Sequence, residues 1–447
     1  MPQNCSEIIR KTLSTCIQCN KKVNADLVER GGKVYMLKKC PEHENPAVIV
    51  SNHAWYYLGL TDYYFSVMPK NMKQKRYYIY LSNKCNLSCP VCLLEPNQGN
   101  IPDIPLDQFK KVIAKNKNAR FYLYGAEPTL RTDLRDWIKL LKKSRNMVNI
   151  HTNGIKLADY DYLKSLKDCG LDYVSIQFDG FDDSVYRQLR GRDLIDIKLK
   201  ALNNLRKLNI ATGLNVTIAK DVNENQINKI MDYAVKNRFI KDVSFATLSF
   251  LGNANKNFSP DTILMPDELI DIVEKEMQGS ISRKNIFLFQ KLYYAFLSVL
   301  NVRRCYNFQH LALVRQENEK FSTFDSVFKL DRFEKELDRY KKLVKKNKGI
   351  ASLYFLLKFS LNFISENFVS RFKCLPFDML FPGRLLNARI PSNLLLISFG
   401  TVCDYYKYDS KVSEYCGQGF CLEKDSKVEL TDSISDYSLF YKKGLCE

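Results

Sequence analysis

The sequence predicts an α/β protein, in which a partial (β/α)6 barrel follows a small N-terminal metal ribbon and precedes a C-terminal cysteine-rich region. Residues 76 to about 255 alternate between short apolar runs and amphipathic segments, which is typical of strands and helices around a parallel sheet. A cysteine pair and a Cys–His pair flank a glycine turn before this region, and five more cysteines fall in the last hundred residues. We therefore expect three regions, at residues 1–70, 71–255 and 256–447.

The composition favours a folded protein with an anionic partner. A chain of 447 residues, 45% of them hydrophobic, can bury two or three cores and does not resemble a disordered protein. The formal net charge of +19 suits nucleic acid, a phospholipid headgroup, a nucleotide-like substrate or an acidic peptide. The alternative is that the lysines are simply spread over a solvated surface.

The cysteines indicate metal ligands rather than disulfides. The N-terminus has no apolar signal region, and no uncharged apolar run is long enough to cross a membrane. We therefore expect a cytoplasmic protein, and we leave open a peripheral contact with a membrane. In that compartment the fourteen cysteines are expected to bind metal rather than to form disulfides.

The first 60 residues contain two pairs of metal-ligand residues. A Gly31-Gly32 turn between two extended segments predicts a hairpin that brings the pairs together, as in zinc ribbons and rubredoxin-like sites. A unit this short needs a metal to be stable, so we expect zinc or iron there. The expected ligands are Cys16, Cys19, Cys40 and His43, with Cys5 and His53 as substitutes.

The middle region is organised around residues 76–95. An apolar run at 77–81 predicts a buried strand, and a loop with three cysteines follows it directly. Thiolates are the preferred ligands of iron–sulfur clusters, and three of them leave one iron open, which is the mark of a reactive metal site. The alternative is a structural zinc or cluster knot, but no fourth Cys or His lies close by in the sequence. The three cysteines are Cys85, Cys89 and Cys92.

Their spacing, C-x3-C-x2-C, resembles the cluster motif of the radical S-adenosylmethionine (SAM) enzymes. The resemblance implies a catalytic [4Fe–4S] cluster on these cysteines, with the amino and carboxylate groups of SAM on the free iron. The reduced cluster would cleave SAM to a 5′-deoxyadenosyl radical. An electron donor of the flavodoxin or ferredoxin type is implied as a partner.

Loops after the later strands continue this resemblance. Gly125-Ala126-Glu127-Pro128 resembles the GGEP turn that holds the SAM amino group, with Ala126 in place of the second glycine. Thr152-Asn153-Gly154 resembles the end of the next strand in that family. The pair Arg190-Gly191 resembles the element near the SAM carboxylate, which an arginine can bind through two hydrogen bonds. The resemblance thus implies that SAM is bound by Gly125, Glu127, Asn153 and Arg190.

The N-terminal ribbon resembles the leader of one radical SAM group, which contains tetraether lipid synthases and pterin methylases. The matching residues are Thr12-x-Ser14-x-Cys16-x-x-Cys19, Gly32-Lys33-Val34-Tyr35 and Lys39-Cys40-Pro41-Glu42-His43. Glu44 stands where that group typically has glycine. A segment at residues 398–405 resembles a second element of the same group.

Cysteines beyond residue 300 suggest an auxiliary [4Fe–4S] cluster. They fall in turn-rich sequence with little periodicity, which is how the auxiliary-cluster regions of radical SAM enzymes look. Scattered free thiols are the alternative. We expect that some four of the following hold the cluster: Cys305, Cys374, Cys403, Cys416 and Cys421.

A charged helix is predicted at residues 331–348, and an apolar helix follows it at 350–364. A lysine-rich helix next to an apolar one could lie on an anionic membrane surface. Alternatively, the apolar helix covers the barrel and the lysines are solvated.

These features together predict a radical SAM enzyme that abstracts hydrogen from an unactivated carbon. The group resemblance, the basic charge and the lysine-rich helix favour carbon–carbon bond formation on a lipid-like substrate. The alternatives with the same chemistry are methylation of a pterin-like molecule and modification of a peptide. A nucleic-acid-binding protein with zinc ribbons is a distant alternative, because such a protein has no need of the turn at residues 125–128.

Overall fold

A computed structural model describes most of the chain. The described residues are 7–69, 76–98, 103–259, 262, 264–365, 392–402, 404, 406–415, 419–424 and 427–431.

The N-terminal unit is a four-stranded antiparallel sheet followed by a helix. Its strands are β1 (Glu7–Thr15), β2 (Lys22–Arg30), β3 (Lys33–Lys39) and β4 (Val48–Ser51), and they pair in sequence order. The β2–β3 turn consists of Gly31 and Gly32, whose φ angles of +57° and +76° favour glycine over other residues. Helix α1 (Ala54–Val67) then crosses to the rest of the molecule. The sequence pattern predicted the β2–β3 hairpin but not β1 or α1.

Six parallel strands form the centre of a second sheet, and they lie side by side in chain order. The strands are β5 (Arg76–Tyr80), β6 (Arg120–Tyr124), β7 (Met147–Thr152), β8 (Tyr173–Gln177), β9 (Ala211–Ile218) and β10 (Ile240–Thr247). The helices between them are α2 (Leu106–Lys115), α3 (Leu134–Lys143), α4 (Tyr160–Asp168), α5 (Asp183–Arg190), α6 (Ile195–Lys207) and α7 (Ile227–Lys236). This is the parallel α/β arrangement that the alternating sequence pattern predicted.

The two faces of this sheet differ in chemistry. Side chains alternate along each strand, so Ile79, Leu123 and Val174 point towards the helices, and they are completely buried. Their strand neighbours on the opposite, inner face are polar or aromatic, as at Tyr78, Tyr122 and many other positions. A sheet packed between two apolar layers would not show this pattern. The inner face is therefore suited to binding a polar molecule.

Strands from the C-terminal third extend the second sheet at both ends. β11 (Phe308–Arg315), β12 (Phe321–Thr323) and β13 (Leu394–Gly400) join next to β10, with β13 parallel to it. β14 (Gly419–Lys424) and β15 (Lys427–Thr431) join next to β5.

Six strands lie between β11 and β5, which would be about 34 Å apart in a flat sheet. Even so, Arg76 on β5 lowers the pKa of His310 on β11, so the sheet must curl.

The remaining helices all follow β10 in the sequence. They are α8 (Ala254–Asn257), α9 (Pro266–Glu276), α10 (Arg283–Val299), α11 (Phe324–Phe328), α12 (Leu330–Val344), α13 (Lys348–Ser365) and α14 (Ser410–Ser413). α13 buries Ala351, Phe355 and Phe359. Within the described part of the chain, no helix combines the length and the apolar character needed to span a membrane.

The N-terminal ribbon packs on the C-terminal segment through polar contacts. Arg10 on β1 forms an ion pair with Asp409, and the Thr12 hydroxyl donates to the same carboxylate at 2.7 Å. The Ser14 hydroxyl donates to the carbonyl oxygen of Tyr408 at 2.7 Å. Strand β1 of the ribbon is therefore held against the segment that contains Tyr408 and Asp409.

Candidate active site

The loop with the three cysteines lies at the carboxyl end of β5, where ligands bind in parallel α/β sheets. Asn97 fixes its start, because the Asn97 side chain accepts from the Cys85 amide and donates to the Cys85 carbonyl, both at 3.0 Å. The far end of the cysteine loop, at Cys92, is held by the segment after β10. There, the amide of Ala254 donates to the Cys92 carbonyl at 3.3 Å. The loop is thus held from both sides.

The surroundings of the three thiols are apolar on one side. Cys89 is buried, and Cys85 and Cys92 are half-buried, against a small hydrophobic cluster that includes Leu189 and Phe250. Burial raises the pKa of Cys85 to about 12 and that of Cys92 to about 11. Iron must therefore displace protons when it binds, as is usual for thiolate sites.

The donor set fits an iron–sulfur cluster. The amides of Leu87 and Leu94 point at the sulfurs of Cys85 and Cys92, each at 3.4 Å, and such contacts stabilise thiolates. The three sulfurs also do not form the kind of tight group that fits a single ion. Among the described residues, the one group of that kind is in the N-terminal ribbon. In a [4Fe–4S] cluster each thiolate binds a different iron, so the three sulfur atoms must lie further apart than the ligands of a single ion.

Glu127 cross-links the ends of β6 and β7 beneath this loop. Its carboxylate is completely buried and accepts from the amide and hydroxyl of Thr129, at 3.0 and 2.5 Å. It also accepts from the Thr152 hydroxyl and from the Asn153 amide, both at 2.7 Å. Glu127 therefore positions Asn153, a contact that the sequence resemblance did not indicate.

Gly125 is required by a close approach of two backbone segments. A Cβ atom at this position would lie 2.6 Å from the carbonyl oxygen of Ser82, and the φ angle of +142° favours glycine. The following amide, of Ala126, donates to the same oxygen at 2.9 Å. The turn after β6 is therefore packed directly against the start of the cysteine loop.

Asn153 and Arg190 both lie beside the thiols. The Asn153 side-chain amide is 3.9 Å from the Cys85 sulfur. Arg190 is almost completely buried, and its guanidinium group donates two hydrogen bonds to Asp179, at 2.7 and 3.0 Å. Arg190 therefore has a carboxylate partner within the protein, Asp179, which was not among the residues expected to bind SAM. The role of Arg190 in binding SAM stays a prediction.

Lys198 is a second residue that the sequence reasoning missed. It is completely buried, and its ammonium group donates to the carbonyl oxygens of Asn153 and Gln177, at 2.5 and 2.9 Å. Burial lowers its pKa to about 7. The sequence did contain a signal for the burial of Lys198. It lies three residues after Ile195 and four before Leu202, so the three side chains share the apolar face of helix α6.

The N-terminal ribbon brings its four expected ligands together. Their ligand atoms all lie within 4.8 Å of one another, and the Cys19–Cys40 and Cys40–His43 separations are 3.9 and 3.5 Å. Zinc bonded to sulfur at 2.3 Å in a tetrahedron requires a separation of about 3.8 Å, so the group fits one ion. Burial alone would raise the pKa of the Cys16 thiol. Hydrogen bonds from the backbone amides of Cys19 and Gln18 act in the opposite direction, and the resulting pKa of Cys16 is about 6.

Of the two substitute ligands, His53 does not join this group. His53 instead pairs with Asp271 at 3.0 Å, and Cys5 lies outside the described residues. Cys169, at the end of α4, packs against the main hydrophobic core.

The auxiliary-cluster cysteines are described only in part. Cys374, Cys403 and Cys416 lie outside the described residues, and of Cys421 only the backbone on β14 is described. Cys305 is half-buried. The Tyr64 hydroxyl contacts the carbonyls of Arg304 and Tyr415, at 3.0 and 3.2 Å, so the segment before Cys305 lies next to the one that ends at Tyr415. The auxiliary cluster remains a prediction.

Comparison with known protein families identifies two domains in this chain. Residues 79–234 match the radical SAM superfamily, and residues 8–51 match the HMPTM N-terminal zinc ribbon domain. The chain therefore contains a radical SAM domain behind a zinc ribbon. A [4Fe–4S] cluster, SAM and a metal ion in the ribbon are the cofactors that these two domains imply.

Two individual proteins are similar in sequence to this chain. The 7,8-dihydro-6-hydroxymethylpterin dimethyltransferase of Methanocaldococcus jannaschii is 30% identical over 308 residues, which cover 62% of this chain and 61% of the relative. A probable GTP 3′,8-cyclase of Pyrococcus horikoshii is 30% identical over 160 residues, 35% of this chain and 51% of the relative. The chain thus spans between half and two thirds of the length of these relatives.

Among solved structures, Streptococcus suis SuiB bound to its precursor peptide SuiA is similar to this chain. The TM-score is 0.41 and the sequence identity is 20%, over 47% of each chain.

Proposed function

We propose that the protein is a radical SAM enzyme that methylates a pterin-like small molecule. The observation that carries this proposal is the combination of the HMPTM-type ribbon with the long match to a pterin dimethyltransferase. The first expectation from the sequence was carbon–carbon bond formation on a lipid. These relatives instead favour pterin methylation, which the sequence analysis gave as an alternative.

The proposal gives each part of the site a task. Cys85, Cys89 and Cys92 would hold the cluster, which supplies the reducing electron and the radical chemistry when SAM is bound. The apolar side chains behind the thiols exclude water from them. Asn153 and Arg190, held by Glu127 and by Asp179, would orient SAM beside the cluster.

The test is turnover on a defined pterin. Anaerobically reconstituted, reduced protein should transfer a methyl group to 6-hydroxymethyl-7,8-dihydropterin in the presence of SAM, as detected by mass spectrometry. An exposed-arginine variant, Arg332→Gln on α12, serves as the control and should behave like the wild type. Formation of 5′-deoxyadenosine without methylation of any pterin in a panel would contradict the proposal.

A lipid-like substrate is the second candidate, and one surface feature favours it. Helix α13 exposes an apolar stripe whose four side chains are between 55% and 72% exposed. They are Ile350, Leu353, Leu357 and Leu361. Lysines flank the stripe, as on helices that lie on anionic membranes. Binding to phosphatidylserine vesicles that is lost in Leu353→Glu would support this candidate, and no binding to such vesicles would exclude it.

A further inference from the structure

One buried ammonium group joins the ends of two strands beside the thiols. The ladder between β7 and β8 ends at the pair of Thr152 and Ile176, so the backbone carbonyl oxygens beyond that pair need other donors. Lys198 on α6 supplies them, because its ammonium group donates to the carbonyl oxygens of Asn153 and Gln177, at 2.5 and 2.9 Å. The ends of β7 and β8 are therefore fastened to each other through one side chain.

The same ammonium group also reaches the arginine on α5. It donates to the side-chain oxygen of Gln177, whose side-chain nitrogen donates to Asp179. The Asp179 carboxylate accepts from the guanidinium group of Arg190 at 2.7 and 3.0 Å, and from the amide of Thr217 at 3.0 Å. A continuous path of hydrogen bonds thus runs from Lys198 to Arg190.

The backbone of Asn153 is held on both sides. Its amide donates to the buried carboxylate of Glu127 at 2.7 Å, and its carbonyl oxygen accepts from Lys198. The Asn153 side chain extends from this fixed backbone, donates to the side chain of Asn86 at 2.7 Å and lies 3.9 Å from the Cys85 sulfur. A shift of the Asn153 carbonyl would therefore move a group that lies beside the thiols.

Packing alone does not account for a lysine at this position. Lys198 is completely buried, and lysine is almost never fully buried unless it is paired. Its acceptors named above are carbonyl and amide oxygens, and these hydrogen bonds offset the loss of hydration. Apolar side chains such as Leu202 and Leu205 already fasten α6 to the core. What the ammonium group adds is the connection between the two strand ends.

We propose that Lys198 is a positioning residue that sets Asn153 and Arg190 relative to each other and so preorganises the SAM site. It acts through the Asn153 carbonyl on one side and through Gln177 and Asp179 on the other. The inference rests on the part of the proposed function that assigns SAM binding to Asn153 and Arg190. It does not depend on the identity of the methyl acceptor.

The test compares SAM binding by Lys198→Met and by Lys200→Met. Methionine keeps the length of the side chain but cannot donate hydrogen bonds, and Lys200 is exposed on the same helix. The anaerobically reconstituted full-length proteins are titrated with SAM in equilibrium dialysis. We expect Lys198→Met to bind SAM about tenfold or more weakly than the wild type, since loss of groups that orient ligands has effects of this size. Lys200→Met should bind like the wild type, and wild-type affinity in folded Lys198→Met would overturn the inference.

Two further readouts separate positioning from folding. Without SAM, the electron paramagnetic resonance spectrum of the reduced cluster in Lys198→Met should match that of the wild type, because the three thiols keep their places. In 5′-deoxyadenosine formation, the KM for SAM should rise about tenfold while kcat changes less than about threefold. A lysine with a merely structural role would instead lower the yield of folded, cluster-loaded protein and leave KM unchanged, and that result would overturn the inference.

A double variant tests whether Lys198 acts through Asn153. Asn153→Ala removes the side chain that Lys198 positions, so Lys198→Met should weaken SAM binding less in this background than in the wild type. Fully additive losses would overturn the inference. If Lys198→Met does not fold, Gln177→Met decides, because it breaks the path to Asp179 and keeps the backbone contacts. It should weaken SAM binding about threefold or more, and unchanged binding would overturn the inference.

These outcomes also distinguish failure of this inference from failure of the proposed function. If no pterin is methylated but Lys198→Met weakens SAM binding, the positioning role stands and the pterin assignment falls. If the wild type methylates the pterin and Lys198→Met binds SAM normally, the pterin assignment stands and the positioning role falls.

Discussion

At the scale of single residues, buried hydrogen-bonding side chains shape the site as much as the expected ligands do. Glu127 was expected to hold the SAM amino group, but its two oxygens accept hydrogen bonds from Thr129, Thr152 and Asn153. Arg190 was expected near the SAM carboxylate, and it is already paired with Asp179. These two carboxylates therefore set the positions of the groups that face the cluster.

Glu127→Gln should weaken both the fold and SAM binding. The amide group that replaces one carboxylate oxygen would face donors, and a buried donor left without an acceptor costs about 1–3 kcal/mol. We expect a lower thermal unfolding midpoint and weaker SAM binding in equilibrium dialysis. Glu319→Gln, at an exposed carboxylate, is the control. Wild-type stability in Glu127→Gln would show that the cross-link is unimportant.

His310 should make the protein sensitive to acid. Burial, together with Arg304 and Arg76, lowers its pKa from 6.5 to about 3, so the unfolded chain binds a proton that the folded chain does not. Its contribution to stability is therefore present above pH 6.5 and is lost as the pH falls towards 3. His310→Phe should lose less stability over this range than the wild type, as measured by thermal unfolding at each pH. Parallel pH profiles would contradict this assignment.

At the scale of elements, the ribbon and the cysteine loop are two metal sites with different geometry. The ribbon ligands form one tight group, which fits a single ion, whereas the loop thiols, which are also described, do not form such a group. The ribbon is also tied to the C-terminal segment through Arg10 and Asp409. Loss of its metal should therefore loosen that contact without removing the cluster ligands.

Cys40→Ser should separate the two sites experimentally. It removes one of four ligands of the ribbon ion, so we expect loss of about one metal ion per chain and a lower unfolding midpoint. The iron held by Cys85, Cys89 and Cys92 should remain. Metal analysis of the purified protein measures both, with Cys169→Ser as the matched control. Unchanged ribbon metal in Cys40→Ser would contradict the ligand assignment.

At the scale of the whole molecule, the part of the fold with the clearest periodicity was the part that the sequence predicted. The alternation expected over residues 76 to about 255 is present as β5 to β10 with helices α2 to α7 between them, and the strand expected at residues 77–81 lies at Arg76–Tyr80. These elements combine an apolar pattern with clear turn residues at their ends. The cysteine loop and the ribbon ligands were found for a similar reason, since their spacing along the chain is itself the signal.

Residues brought together from distant parts of the chain could not be predicted. Arg304 follows α10, yet it is one of three arginines that lower the pKa of Tyr122 on β6, far away in the sequence. Neither Asp179 nor Lys198 was expected to contact the SAM-binding residues, because their hydrogen bonds depend on how α5 and α6 pack over the strand ends. The polar inner face of the sheet emerges only when the register of all its strands is known.

The proposed function requires that Cys85, Cys89 and Cys92 hold a cluster able to cleave SAM. The most direct test measures 5′-deoxyadenosine formed from SAM by the anaerobically reduced protein, comparing the wild type with Cys89→Ala and with Cys169→Ser. We expect cleavage by the wild type and by Cys169→Ser, and none by Cys89→Ala, because Cys89 lies in the loop and Cys169 packs in the core. Cleavage by Cys89→Ala at the wild-type rate would contradict the central assignment.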